Sequence, residues 1–156
     1  MEKTNVMRIL DQKKITYTPH AYDPGTTDGR SVAALTGQDP ATVFKTLVTV
    51  GASKRNYVFV IPVNQELDLK KAAKAVGEKS IAMIKQAELL PLTGYVHGGC
   101  SPVGMKKQFR TVIHQSAAQL PQMLVSAGRL GAQVELSPTD LAKLVRAEFN
   151  FVTVEG

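Results

Sequence analysis

Cysteine is almost absent from this chain. Of 156 residues one is cysteine, Cys100, which excludes an internal disulfide and fits a reducing compartment. Tryptophan is missing and aromatic residues make up 6%, so a platform that stacks single-stranded bases is not expected. No apolar run approaches the roughly 18 residues needed to cross a bilayer. The start, Met1-Glu2-Lys3-Thr4-Asn5, leads into no apolar signal core. The expected location is therefore cytoplasmic. His20, His97 and His114 show no metal-ligand spacing, and one cysteine cannot complete a zinc set, so neither a metal nor a cofactor is expected. There is no nucleophile elbow, no ordered Ser/His/Asp set and no nucleotide-binding glycine fingerprint. Repeats, low-complexity tracts and linkers are also lacking, which makes residues 1–156 one expected domain.

What the chain does have is charge in one place. Residues 1–44 carry five basic and five acidic side chains, and residues 111–156 carry three and four. Residues 45–110 carry eleven and four, so the +6 net charge is concentrated in the middle third. Such a surplus suits a polyanion, with nucleic acid the leading candidate. A solvated helix face would read the same way from charge alone.

Local signals predict alternating short elements. Thr4 caps a helix over 4–13 with an apolar stripe of Val6, Ile9 and Leu10, and Ile15–Tyr22 reads as a strand that Pro19 places at an edge. A polar loop covers 23–30. Ser31 caps a helix over 32–36, and Asp39-Pro40 is a further cap. Phe44–Val50 and Tyr57–Val63 form a hairpin around Gly51–Asn56. Asp68 caps a helix that Gly77 stops, with Lys70, Lys71 and Lys74 giving it a basic side. A short strand over 81–84 precedes a helix over 85–90 ended by Pro91. Thr111–His114, Met123–Ser126, Gln133–Leu136 and Phe149–Val154 read as strands, and Ser137-Pro138 opens a last helix through Arg146. The expected class is mixed α/β: a curved, largely antiparallel sheet or partial barrel with helices packed on it.

Two features could carry chemistry. Residues 98–107, Gly-Gly-Cys-Ser-Pro-Val-Gly-Met-Lys-Lys, combine glycines that admit close backbone approach with a stiff Ser-Pro turn and two lysines. Such a loop can direct backbone N–H groups at a carbonyl oxygen or a phosphate; a plain hairpin connection with basic residues facing water is the alternative. Lys45 sits in the apolar run Val43–Val48, where a charge must point to solvent or meet an anion. His97 beside the loop could act as a base or be a hydrogen-bonded structural residue. Cys100 invites a thiol-nucleophile reading, yet it is a lone loop cysteine with no identifiable base partner.

Taken together, Phe44-Lys45-Thr46-Leu47, Leu67-Asp68-Leu69-Lys70-Lys71, Gly98-Gly99-Cys100-Ser101-Pro102-Val103-Gly104 and Val125-Ser126-Ala127-Gly128 resemble the YbaK/EbsC-type Cys-tRNA(Pro)/Cys-tRNA(Cys) deacylases. These are relatives of the editing domain of bacterial prolyl-tRNA synthetases. The likeness runs in order along nearly the whole chain. It implies a freestanding factor that deacylates mischarged tRNA in translation. Lys45 would then lie near the terminal adenosine, Gly98 and Gly99 would bring backbone to the aminoacyl group, and Ser126 would shape the pocket. Tyr22, Thr46, Ser101 and Gln133 fall at further substrate-side positions. Gln133 stands where some relatives carry aspartate, loop 23–30 lacks an aromatic that some relatives place there, and relatives have an apolar residue at Cys100. Lys70, Lys71, Lys74, Lys106 and Lys107 would meet the tRNA.

An aminoacyl ester is already activated, so a site needs mainly to orient it and to stabilise an oxyanion. The resemblance implies that the substrate cysteine's own thiol attacks its ester carbon and leaves as a cyclic thiolactone. Selection by reactivity avoids a pocket's weak discrimination by size, about 1–3 kcal/mol per methylene. Two other readings stand beside it: a deacylase for another residue, such as Ala-tRNA(Pro), and a non-catalytic module that binds a tRNA end or a prolyl-tRNA synthetase.

Overall fold

The fold places helices on a split sheet. The computed structural model describes residues 2–23, 33, 34 and 36–155. Most of the polar loop 23–30 and the Ser31 cap lie outside the described residues. Of the helix expected over 32–36, Ala33, Ala34 and Thr36 are described and helical.

Helix α1 (Asn5–Gln12) begins where Thr4 Oγ1 accepts from the Met7 N–H, and it buries Val6, Met7 and Leu10. That is the outcome its cap and stripe require. Strand β1 (Tyr17–Ala21) follows. A 3₁₀ turn over Pro40–Thr42, capped by the Asp39 carboxylate, leads into the hairpin of β2 (Phe44–Gly51) and β3 (Asn56–Pro62). Helix α2 (Leu69–Val76) starts at Asp68, whose carboxylate accepts from Lys70 and Lys71 N–H, and stops at Gly77 with φ 75°. Next come β4 (Ile81–Met83), α3 (Gln86–Thr93) and β5 (Arg110–His114). The chain closes with β6 (Met123–Ser126), β7 (Ala132–Leu136), α4 (Pro138–Val145) and β8 (Glu148–Asn150).

The strands form a three-stranded sheet, β1-β7-β6, and a five-stranded sheet, β4-β2-β3-β5-β8. β1 is an edge strand, as Pro19 requires. Four pairings are antiparallel, but β3–β5 and β5–β8 are parallel. The strand order could not be read from local turns because these two pairings join segments separated by helices. β3, buried along almost its whole length, reads as the doubly covered strand of such a sheet. One of its sides packs with Phe44, Val48 and Ile113 against α1, β6, β7 and α4, the other with Val112 against Ala72, Ala73 and Val76 of α2.

Two element ends differ from expectation. The helix expected to end at Pro91 continues to Thr93 and stops at Gly94, φ 85°. Proline removes one backbone donor, and here the surrounding turn is exposed, where water can replace a lost intrahelical bond. The strand expected over 149–154 ends at Asn150 because the chain leaves β5 there. Val152 N–H then bonds His114 Nδ1, and Val152 O accepts from Asp68 N–H.

The two sheets pack face against face, and among the described residues one backbone bridge links them, the parallel Val43–Leu124 pair. β4 pairs with β2 at Thr49, Val50 and Gly51 alone, so the first half of β2 borders a crevice. Among the described residues no helix is long and apolar enough to cross a membrane.

Candidate active site

A cavity of about 180 Å³ occupies that crevice, lined in part by Tyr22, Val43, Lys45, Thr46, His97, Gly98, Cys100, Ser126 and Gln133. This is smaller than the roughly 300 Å³ at which pockets begin to take drug-sized ligands. Its walls come from both sheets and from the glycine loop. Six of the eight positions expected to touch substrate or catalyse therefore meet in one place: Lys45, Gly98, Tyr22, Thr46, Ser126 and Gln133.

β2 supplies two of them. In its register with β3, Lys45 lies opposite Ile61 and Thr46 opposite Val60. Neighbouring strand residues face opposite sides, so Thr46 and Lys45 can both border the cavity only because it opens at the strand edge. Tyr22 follows β1 and is fixed by its N–H to Gly131 O at 3.0 Å. Gln133 sits mid-strand in β7, opposite both His20 and Ser126.

The loop is divided in its roles. Gly98 adopts φ 85°, a left-handed conformation suited to glycine, and faces the cavity. Gly99 and Ser101 do not line it. A Cβ on Gly99 would stand 3.1 Å from the Arg129 and Leu130 backbone, a contact tight enough to favour glycine there. Gly99 O accepts from Ser126 Oγ at 3.0 Å, and Ser126 Oγ in turn accepts from Gly128 N–H at 3.1 Å. Both hydrogen bonds hold the β6–β7 turn against the loop and orient Ser126. Ser101 is fully buried, and its hydroxyl accepts from Val103 N–H at 3.2 Å. It is a bracket inside the loop. Tyr95 Oη donates to Val103 O and completes that bracket.

Electrostatics separate the candidate nucleophile from the rest. Burial pushes the Cys100 thiol up to about 12, with a hydrogen bond from Thr93 partly opposing the shift. A thiol with that pKa is protonated at neutral pH and is a poor nucleophile. His97 is exposed at the rim. Among the described residues no group of three His, Cys, Asp or Glu side chains could hold a metal ion.

Buried polar atoms say more. Three buried side-chain oxygens among the described residues make no hydrogen bond: Thr46 Oγ1, Gln133 Oε1 and Ser116 Oγ. Two of the three belong to residues lining this cavity. Native proteins satisfy most such atoms, so two orphans in one cavity leave acceptors and a hydroxyl open to a polar ligand.

The basic residues fall apart into separate groups. Lys70 and Lys74 are exposed on α2. Lys71 Nζ donates to Thr153 O at 3.0 Å and pairs with Glu155 at 3.3 Å, tying the C-terminal segment to α2. Lys106 lies against Gly94. Lys107 lines a different, open groove with Lys54, Arg55 and Arg110. The last three were not singled out by sequence, because a hairpin turn and a strand start meet there through long-range folding.

Known proteins bear on this arrangement. The aminoacyl-tRNA editing domain profile matches residues 23–144. A candidate Cys-tRNA(Pro)/Cys-tRNA(Cys) deacylase of Enterococcus faecalis, EbsC, is 44% identical over 156 residues, 99% of this chain and 95% of that protein. The solved structure of hypothetical protein APE2540 has a TM-score of 0.89 at 23% identity, over 97% of this chain and 100% of its own. That of a candidate trans-editing enzyme for prolyl tRNA synthetase has a TM-score of 0.85 at 22% identity, over 99% and 100%. The two structures support the fold, and the two sequence matches support descent. By profile and by full-length identity, this chain belongs to the aminoacyl-tRNA editing domain family.

Proposed function

We propose that the protein deacylates Cys-tRNA(Pro), and Cys-tRNA(Cys) with it, using the crevice between the sheets. The observation that carries this reading is the small cavity with two orphaned buried oxygens, Thr46 Oγ1 and Gln133 Oε1, and one lysine, Lys45. An aminoacyl ester presents matching groups: an ammonium and a ribose hydroxyl that donate, and a carbonyl that develops negative charge. The 44% identity to EbsC over nearly all of both chains supports the same substrate class.

The chemistry assigned to the chain is positioning. Lys45 and the Gly98 backbone orient the ester and stabilise its oxyanion, an effect that needs no group of the protein to change covalently. The substrate's own sulfur attacks the ester carbon. The C–S bond forms, the C–O bond to the ribose breaks, and the thiol proton ends on the ribose oxygen. The products are a cysteine thiolactone and tRNA with a free terminal hydroxyl. Cys100 takes no part, in keeping with its raised pKa.

Incubation with Cys-tRNA(Pro), Ala-tRNA(Pro) and Pro-tRNA(Pro), following each ester, tests the reading. Turnover of the cysteinyl ester alone is expected, lost in Lys45→Ala and largely kept in Cys100→Ser. Turnover of the alanyl ester instead would reassign the substrate, and loss of activity in Cys100→Ser would sink the substrate-thiol route. Silence on all three would leave a binding module.

A further inference from the structure

The groove that holds Lys107 lies at the opposite end of the β2–β3 hairpin from the cavity. It is lined by Ser53, Lys54, Arg55, Asn56, the end of α2 and residues 107–110, and encloses about 780 Å³. Four cations border it, Lys54 and Arg55 from the hairpin turn and Lys107 and Arg110 from the segment entering β5. One carboxylate, Glu78, lines the groove with them, half-buried and engaged in hydrogen bonds. Glu78 accepts from the Ser53 N–H and hydroxyl and from Tyr57 Oη, and these bonds lower its pKa.

Those hydrogen bonds have a structural effect. Glu78 fastens the hairpin turn to the end of α2, while Ala52 N–H bonds Ser80 O and Lys54 N–H bonds Gly51 O. Lys54 is held at φ 75°, a conformation seldom taken by a residue with a side chain. The turn is therefore ordered with its cations outward. Lys54, Arg55 and Lys107 are exposed, and Arg110 pairs with Glu148 at 2.8 Å.

Distance connects the groove to the site. From Lys45 to Gly51 the strand advances about 20 Å at its usual rise. The loop makes the same journey, with Gly98 at the cavity and Lys107 at the groove. The unpaired acceptor end of a tRNA covers such a gap before its double-stranded stem begins.

We propose that this groove is a binding site for the phosphate backbone of a nucleic-acid duplex, the acceptor stem of the tRNA whose aminoacyl end fills the cavity. Backbone contacts of this kind fix register without reading sequence. The identity of the duplex rests on the deacylase reading; the groove itself is open to test without it.

The experiment compares wild type with Arg55→Glu/Lys107→Glu, and with Lys13→Glu as an exposed charge reversal at the C-cap of α1, outside the groove's lining. Uncharged tRNA binding is measured over a range of salt, and deacylation is measured on full Cys-tRNA(Pro) and on a short cysteinylated 3′-end oligonucleotide. The double variant should bind tRNA at least about tenfold more weakly, with a log–log salt slope shallower by about 2 for two lost phosphate contacts. KM for full Cys-tRNA(Pro) should rise with kcat held, while the short substrate is turned over as by wild type. Unchanged tRNA binding, or an equal loss in Lys13→Glu, would overturn the groove. So would weakened association with a synthetase alongside unaltered tRNA binding. Normal groove-dependent tRNA binding without deacylation by wild type would fault the deacylase reading and leave the groove standing.

Discussion

Cys100 shows how a single residue's chemistry is set by where it sits. It borders the cavity and so appears positioned to attack, yet it is 8% exposed and its thiol is pushed up to about 12. At pH 8 the thiolate is about one part in ten thousand, against a sizeable fraction for a free cysteine. Iodoacetamide labelling of the native protein at pH 8, followed by mass spectrometry, should proceed at least about 1000-fold more slowly than labelling of free cysteine. Labelling at a comparable rate would restore Cys100 as a candidate nucleophile. Lys45, Thr46, Gly98 and Ser126, which the resemblance groups together, line one cavity, because family motifs carry long-range information. Sequence alone did not distinguish Gly98 from Gly99. Gly98 is a glycine for its left-handed backbone at the cavity, Gly99 for the approach of residues 129 and 130, and that approach is visible only once the β6–β7 turn is placed.

At the scale of elements, local signals and hairpin pairing are legible in the sequence, and the long-range parallel pairing is not. Thr4, Asp39, Asp68 and Ser137 each cap a helix or 3₁₀ turn, since a cap is a contact over two or three residues. The parallel partnership of β5 with β8 has no such local code. Its end is governed by His114, 7% exposed on β5, whose Nδ1 accepts from Val152 N–H. That acceptor role leaves Nε2 as the protonated nitrogen facing Thr153 Oγ1 at 3.3 Å. Burial, and then the Lys71 charge, lower the His114 pKa from 6.5. The sign follows from linkage. The unfolded chain takes up the proton first, so stability is full above about pH 6.5 and declines as pH falls from there toward the folded value. Urea unfolding midpoints should drop between pH 7 and pH 5, and His114→Asn should flatten that slope. An unchanged slope in the variant would assign the effect elsewhere.

For the whole molecule, the division into two sheets is what makes a site. A continuous sheet would have extended a ladder along the edge of β2's first half that faces away from β3, and closed the crevice. The joint is a small apolar cluster of Ala33, Val43, Val63 and Leu124, and Val43 and Val63 also line the cavity. Leu124 is 1% exposed and backs both valines. Its truncation to alanine should cost about 2–5 kcal/mol, the usual range for a buried leucine. The site should feel it as well, since the wall carrying Val43 is continuous with Lys45 and Thr46. Leu10→Ala is the matched control: Leu10 is 0% exposed on α1 and does not line the cavity. Both variants should lower the thermal midpoint, but Leu124→Ala alone should raise KM for Cys-tRNA(Pro) at a temperature where both remain folded. Equal KM values in the two variants would mean that the joint supports the fold without shaping the site.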